Sequence, residues 1–376
     1  MACPEELKQW AAAVSIHLPN LSRTQAFVLA MYSYGMAMTR RCGQTHIALF
    51  LAGMMSQKPS TVRQRLREWT YEAEDKRGYK RRRIDVMACF APLLGWIVSR
   101  WSSPQLVLAL DVTYLGSRFM ILSVSVVYQG GAIPVAWSIL PGEAKRPWHP
   151  LWVQLLNAIR DALPSELLVY VLTDRGLASK RLFQVIAQNG WFPLMRIRAQ
   201  GKFRRPRAKT WRDLARLARP GMGVWCHEVI VFKGDPLRCQ LLVDWDATYD
   251  EPCLILTTLP AQQVSHNIYS LRAWIEAGFK DLKRGGLRWE QTKMTDPRRV
   301  ERLWLVMAVA LIWTATTDIP PTLASWIDDP LVDKLSWVTR GLLITLISMI
   351  QQYPIQRCDF APYEQGLFGL PLKTYP

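Results

Sequence analysis

Residues 106–140 hold LVLALDVTYL (106–115), RFMILSVSVVY (118–128) and GAIPVAWSIL (131–140), three apolar runs almost without interruption. The first opens as the continuous apolar run of a strand buried on both faces and leads into Asp111-Val112-Thr113. Gly130-Gly131 between the second and third runs is a hairpin turn signal. Downstream follow a helical stretch from Trp148 to Leu163 and a second continuous apolar strand, LLVYVLT (167–173), which ends at Asp174-Arg175-Gly176. Ser179 to Gln188 then reads as a helix and WFPLMRIR (191–198) as a fifth strand. The order strand, hairpin, hairpin, helix, strand, helix, strand predicts an α/β fold with a mixed sheet flanked by helices. If the first and fourth strands are neighbours, Asp111 and Asp174 stand side by side. An aspartate at a strand end can also simply cap a loop or a helix, and that reading stays open for each.

The chain on either side is basic. Residues 196–238 contain 12 Lys/Arg against 3 Asp/Glu, and residues 1–100 contain 15 against 7. The stretch GKFRRPRAKT (201–210) carries Lys202, Arg204 and Arg205, and the strand-like runs 224–232, 238–245 and 251–259 follow it. This reads as a β-rich insertion holding Trp211, Trp225 and Trp245. A tryptophan beside a basic groove can stack on an unpaired base, although core packing is the commoner use. Residues 1–100 read as helices. Thr45 to Met55, a short turn and a helix capped by Ser60 place Arg63 and Arg67 on one face with Gln64 beside them. That arrangement suits major-groove reading, and equally an ordinary solvated helix pair. The basic run Lys76–Arg83 suits a phosphate-contacting linker.

Residues 269–283 read YSLRAWIEAGFKDLK, with Tyr269, Arg272, Glu276 and Lys283 at offsets of 0, 3, 7 and 14. At about 100° per residue these positions fall within roughly 60° of one another on a helix. A carboxylate among cations is what a metal ligand beside a phosphate backbone requires. The bland alternative is a solvated face with one Arg–Glu pair. Gly285-Gly286 marks the helix stop.

The formal net charge of +17 over 376 residues points to a polyanionic partner, nucleic acid before membrane surface. Seven scattered cysteines without a CxxC pair argue against a structural zinc site or a disulfide scaffold. The start MACPEELKQW lacks the features of a signal peptide, and the longest apolar run, 303–317, is short of a membrane span. A cytoplasmic protein is expected. Asp111, Asp174 and Glu276 form a set of hard oxygen donors without His or Cys, which fits Mg²⁺.

The blocks LALDVTYL with Asp111, VLTDRG with Asp174, and Tyr-x₂-Arg-x₃-Glu-x₆-Lys at Tyr269, Arg272, Glu276 and Lys283 resemble those of IS4-family insertion-sequence transposases. The likeness covers about 100–315. Two positions depart from the family pattern: Ser179 stands where Tyr or Phe is usual, and Ala273, with Trp274 next, where Trp often follows the Arg. The resemblance implies an RNase H-like core in two parts (101–198 and 261–317), interrupted by the β-rich insertion (199–260), with an N-terminal helical DNA-binding domain (1–100) and a C-terminal helical tail (318–376). It implies a DDE triad of Asp111, Asp174 and Glu276 binding two Mg²⁺ ions, for which Mn²⁺ can substitute. It further implies phosphate contacts from Tyr269, Arg272 and Lys283, and base stacking by an insertion tryptophan, Trp245 being the first choice. Its implied partners are double-stranded DNA, as terminal inverted repeats and target, and a second copy of the chain in the active complex, acting at the bacterial nucleoid. Two other readings are a domesticated, non-cleaving DNA binder and an RNase H-like nuclease such as a junction resolvase.

Overall fold

The computed structural model describes residues 4–77, 82–144, 148–222, 224–260, 263 and 266–360. Part of the basic run Lys76–Arg83 (78–81) and the end of the tail (361–376) lie outside the described residues.

Five helices come first: α1 (Glu5–His17), α2 (Arg23–Thr39), α3 (Gln44–Met55), α4 (Pro59–Trp69) and α5 (Phe90–Val98). The capping box of α2 is complete, with Ser22 Oγ accepting from the Gln25 amide and Gln25 Oε1 accepting from the Ser22 amide. In α4 the sequence points to Ser60 as the cap, but the cap lies two residues earlier. Lys58 is the cap residue and Pro59 occupies the first helical position, where its fixed φ is already helical.

The strands β1 (Gln105–Leu115), β2 (Phe119–Tyr128) and β3 (Gly131–Pro141) form the expected meander. After α6 (His149–Ile159) come β4 (Leu168–Thr173), α7 (Lys180–Gln188) and β5 (Phe192–Ile197). β4 is parallel to β1, and β5 is parallel to β4. The order β3-β2-β1-β4-β5, with β2 alone reversed, is the RNase H-like sheet. Every residue of β2 is buried, as expected for a strand covered on both faces.

The strands that follow do not close a sheet of their own. β6 (Lys202–Arg204), β7 (Arg212–Asp213), β8 (Trp225–Val231), β9 (Leu237–Asp244) and β10 (Cys253–Thr257) extend the same sheet to ten strands, joined through antiparallel β10–β5 pairing. Then come α8 (His266–Ser270), α9 (Ala273–Lys280), a π-helical turn over Asp281–Gly285, α10 (Pro297–Ala315), α11 (Ala324–Ile327), α12 (Pro330–Asp333) and α13 (Trp337–Ile350).

Residues 303–315 of the apolar run are buried in α10, and Thr316 and Thr317 follow its end. It receives α1 and α2 through edge contacts of Trp313 with Trp10 and with Tyr34, at ring separations of 5.0 and 5.1 Å. Among the described residues no helix is long and apolar enough to cross a membrane.

α9 lies directly on β3 because Gly278 has no side chain. A Cβ there would sit 2.9 Å from the amide nitrogen and the carbonyl oxygen of Ala132. Backbone cannot yield as a flexible side chain does, so Gly278→Val is expected to destabilise the protein by about 1–3 kcal/mol, read as a lower urea midpoint at unchanged slope.

Candidate active site

The strand register brings the two aspartates together. Leu110 of β1 pairs with Thr173 of β4, so Asp111 and Asp174 are the next residues on adjacent parallel chains. Asp111 lies within its strand, since β1 continues to Leu115. Its Oδ1 accepts from the Val112 amide at 2.8 Å. Glu276 comes from α9, on the third side of the site.

Arg272 stands at the centre. Its Nη2 lies 2.9 Å from Asp111 Oδ2 and 3.8 Å from Asp174 Oδ2, while Nη1 lies 3.0 Å from Glu276 Oε1. The guanidinium is largely buried, with its side chain 15% exposed, and Glu276 is the open acid at 59%. Burial raises the Asp111 carboxyl above its ordinary range; Arg272 opposes this, and the nearby Asp174 and Glu276 add to it. Burial works against the Arg272 charge, but Asp111 and Asp174 more than offset it and hold the guanidinium above its ordinary value.

The other two motif residues brace the same point. Tyr269 is buried and its hydroxyl donates to the Thr173 carbonyl at 3.3 Å, which ties α8 to the end of β4. Burial raises the phenol's pKa. Lys283 Nζ donates to Thr113 Oγ1 at 2.8 Å, and burial lowers its pKa. Thr113 was not singled out from the sequence. It lies two residues beyond Asp111, on the same face of the strand, and that period was the available signal.

Residues 269–283 do not form one straight helix. Residues 271–272 are a turn between α8 and α9, and Lys283 sits in the π turn with non-helical angles (φ −86°, ψ −128°). The stripe expected from regular periodicity is therefore assembled by two backbone irregularities. One anchor of the second is Asp281, whose Oδ1 accepts from Ser336 Oγ at 2.7 Å, the N-cap of α13. Burial pushes the Asp281 carboxyl up to about 6, against the Ser336 bond. A folded-state pKa above the ordinary value means that the folded chain binds the extra proton, so stability falls as pH rises from about 4 through about 6. Asp281→Asn keeps the acceptor for Ser336 and is expected to gain roughly 3 kcal/mol at pH 8 and little at pH 4. Denaturant titrations at both pH values measure this.

The remaining candidates lie on other surfaces. Arg63 is exposed on α4, and Arg67 donates to the Tyr71 hydroxyl at 2.7 Å. Both line an open cleft of about 510 Å³ together with Arg65 and Arg77. Lys202 pairs with Asp213 at 3.7 Å, and Arg204 lies over the Trp211 ring at 5.5 Å. Arg204 and the exposed Arg205 border a cavity of about 220 Å³ with Arg212 and Trp225. Trp245 follows β9, half-buried, and its indole donates to the Tyr249 carbonyl at 2.8 Å.

Among the described residues no group of three or more His, Cys, Asp or Glu stands close enough together to hold a metal ion as it is. The three acids instead surround a guanidinium. Their chemistry nonetheless fits a divalent ion: the donors are all hard oxygens, and a cation already stands between them.

Residues 116–313, 198 of the 376, match the profile of a family described as Transposase DDE domain. The match contains Asp174, Tyr269, Arg272, Glu276 and Lys283 and begins after Asp111. Among curated proteins no sequence matches. Among solved structures, the chain is similar to that of a piggyBac transposase in a synaptic complex with hairpin DNA, solved by cryo-EM. The two share 10% identity at a TM-score of 0.36, over 93% of this chain and 79% of that one.

Proposed function

The chain belongs to the family of transposase DDE domains, and from that premise we propose that it cuts and joins DNA as the cut-and-paste transposase of an IS4-type insertion sequence. The observation that carries the proposal is the convergence of Asp111, Asp174 and Glu276 on one point from two adjacent strands and a helix.

In this reading Asp111, Asp174 and Glu276 hold divalent ions, Mg²⁺ first and Mn²⁺ in its place. Ions held there supply Lewis-acid polarisation of the phosphoryl oxygens and acidify a bound water. The chain's own residues do the rest. Tyr269 fixes the carboxylate-bearing end of β4 through the Thr173 carbonyl. Lys283, anchored on Thr113, presents its cation to a backbone phosphate, and Arg272 offers a planar fork that matches phosphate oxygens. Water attacks the phosphorus at the element's end and the bond to the 3′ oxygen breaks, leaving a 3′-OH and a 5′-phosphate. The freed 3′-OH is the nucleophile for joining to target DNA.

The basic surfaces take the duplex on either side. We assign residues 1–100 to end recognition through α4 and its cleft. The insertion (199–260), with Lys202, Arg204, Arg205 and Trp245, takes the DNA beside the cut. Of the described part of the tail (318–360), α13 packs on α10 and α2, and two copies act together because two ends are joined at one target. If Arg63 and Arg67 contact phosphates, the double variant Arg63→Ala/Arg67→Ala lowers affinity across sequences. It also reduces the slope of log K against log salt by about 2, measured by binding titrations at several salt concentrations.

The test of the function uses the purified protein and DNA from both sides of its own coding region, incubated with Mg²⁺ or with chelator. Metal-dependent 3′-OH ends at matching inverted termini support the transposase. Binding without cuts supports a non-cleaving DNA binder, and structure-selective cuts away from such termini support a resolvase-like nuclease.

A further inference from the structure

We propose that Arg272 is the resident counter-ion of the carboxylate cluster, which a divalent cation must displace, so that one side chain couples metal loading to DNA engagement. The inference rests on reading the three acids as metal ligands.

Three observations lead to it. The same guanidinium hydrogen-bonds Asp111 and Glu276, at 2.9 and 3.0 Å, and lies 3.8 Å from Asp174, between the three acids. It is fastened there by its two terminal nitrogens only, since its buried Nε has no hydrogen-bond partner. With the guanidinium between them, the three acids do not stand as a ready metal-binding group of three. Neighbouring cations do not share the position: Lys283 is turned to Thr113 and Arg175 to Glu251.

The guanidinium occupies the oxygens a metal ion would use, Asp111 Oδ2 and Glu276 Oε1 among them, so those donors serve one or the other. A metal ion therefore binds only as Arg272 leaves. The released fork needs another anion, and the geometry that matches it is a phosphate diester. DNA at the site supplies that anion, so DNA favours metal binding and, by linkage, metal favours DNA binding. Without DNA the guanidinium neutralises the acids and keeps the site closed to the ion.

The experiment measures Mn²⁺ binding to the full chain without DNA, by electron paramagnetic resonance of the free ion, for the wild type, Arg272→Met, and Arg272→Met/Asp111→Asn. The expected result is at least about tenfold tighter Mn²⁺ binding by Arg272→Met than by the wild type, with the gain lost in the double variant. Equal affinities in the wild type and Arg272→Met, both dependent on Asp111, overturn the counter-ion role while leaving the acids as metal ligands. Absence of any Asp111-dependent Mn²⁺ binding in every protein overturns both. Arg272→Met leaves three acids without their cation, so its melting temperature in chelator should fall and should recover on adding Mn²⁺ by more than the wild type gains. A variant that stays unfolded in Mn²⁺ contradicts the proposal.

Discussion

Glu276→Gln is expected to lower strand cleavage roughly a thousandfold or more while leaving DNA binding intact. Glutamine is as good a helix former as glutamate and keeps an oxygen that can accept from Arg272, so α9 stays in place. Glu276 is also the most exposed of the three acids, at 59%, and its replacement disturbs little packing. What disappears is one negative charge and one hard, charged oxygen donor. A site that works through divalent ions loses its function with that charge. Contacts to the DNA backbone keep theirs, and affinity should hold or rise slightly as repulsion of the phosphates falls. A nicking assay and a gel-shift titration on the same end DNA read the two quantities separately. Cleavage unchanged by the substitution would remove Glu276 from the catalytic set.

Arg302→Ala is expected to cost about 3–5 kcal/mol, a large share of the stability of any domain. Arg302 is 5% exposed in the second turn of α10, just before the continuously buried stretch Leu303–Ala315. It donates to the Thr70 carbonyl at 2.8 Å and to Glu72 Oε1 at 2.6 Å, while Trp69 Nε1 donates back to the Arg302 carbonyl at 3.0 Å. This reciprocal latch holds the end of α4 onto α10. Removing the arginine leaves a carboxylate and a carbonyl without their donors and opens a cavity beside Trp69. Burial pushes the Glu72 carboxyl up, but Arg302 outweighs it and holds the group below its ordinary value. The latch therefore contributes fully at neutral pH and is lost on acidification through the carboxylate range. The variant's deficit in melting temperature should shrink toward low pH. A deficit under 1 kcal/mol at pH 7 would mean that the guanidinium does not hold α4 in place.

Local patterns made much of the site readable. Asp111 and Asp174 follow apolar runs too continuous to be surface strands, and their adjacency then depends only on β1 and β4 being neighbours, which the structure provides. The spacing in 269–283 marked four side chains, of which Tyr269, Arg272 and Lys283 bond β1 and β4 directly and Glu276 joins them through Arg272. How they meet was not readable, because a 3.6-residue period describes a regular helix and this segment breaks twice. The cause of the second break is tertiary: a Cβ at Gly286 would lie 2.4 Å from the Asp281 carbonyl, and Asp281 is tied to Ser336, 55 residues on. The central position of Arg272 was likewise hidden, since periodicity gives a face and not an ion-pair partner 161 residues away. The strands of 199–260 were legible as strands. Their pairing onto β5 through β10 was not, because one antiparallel edge accepts any strand whose apolar face matches it. The Arg302–Glu72 latch spans 230 residues and gave no local signal.

The central claim is that Asp111, Asp174 and Glu276 hold divalent ions at a single point. The most direct measurement replaces Mg²⁺ with Fe²⁺ in the DNA-bound protein, adds ascorbate and peroxide, and maps where the polypeptide itself is cut. Cuts close to residues 111, 174 and 276, suppressed by excess Mg²⁺ and missing in Glu276→Gln, are the predicted result. Cuts elsewhere in the chain, or cuts at these residues that Mg²⁺ does not suppress, would contradict it.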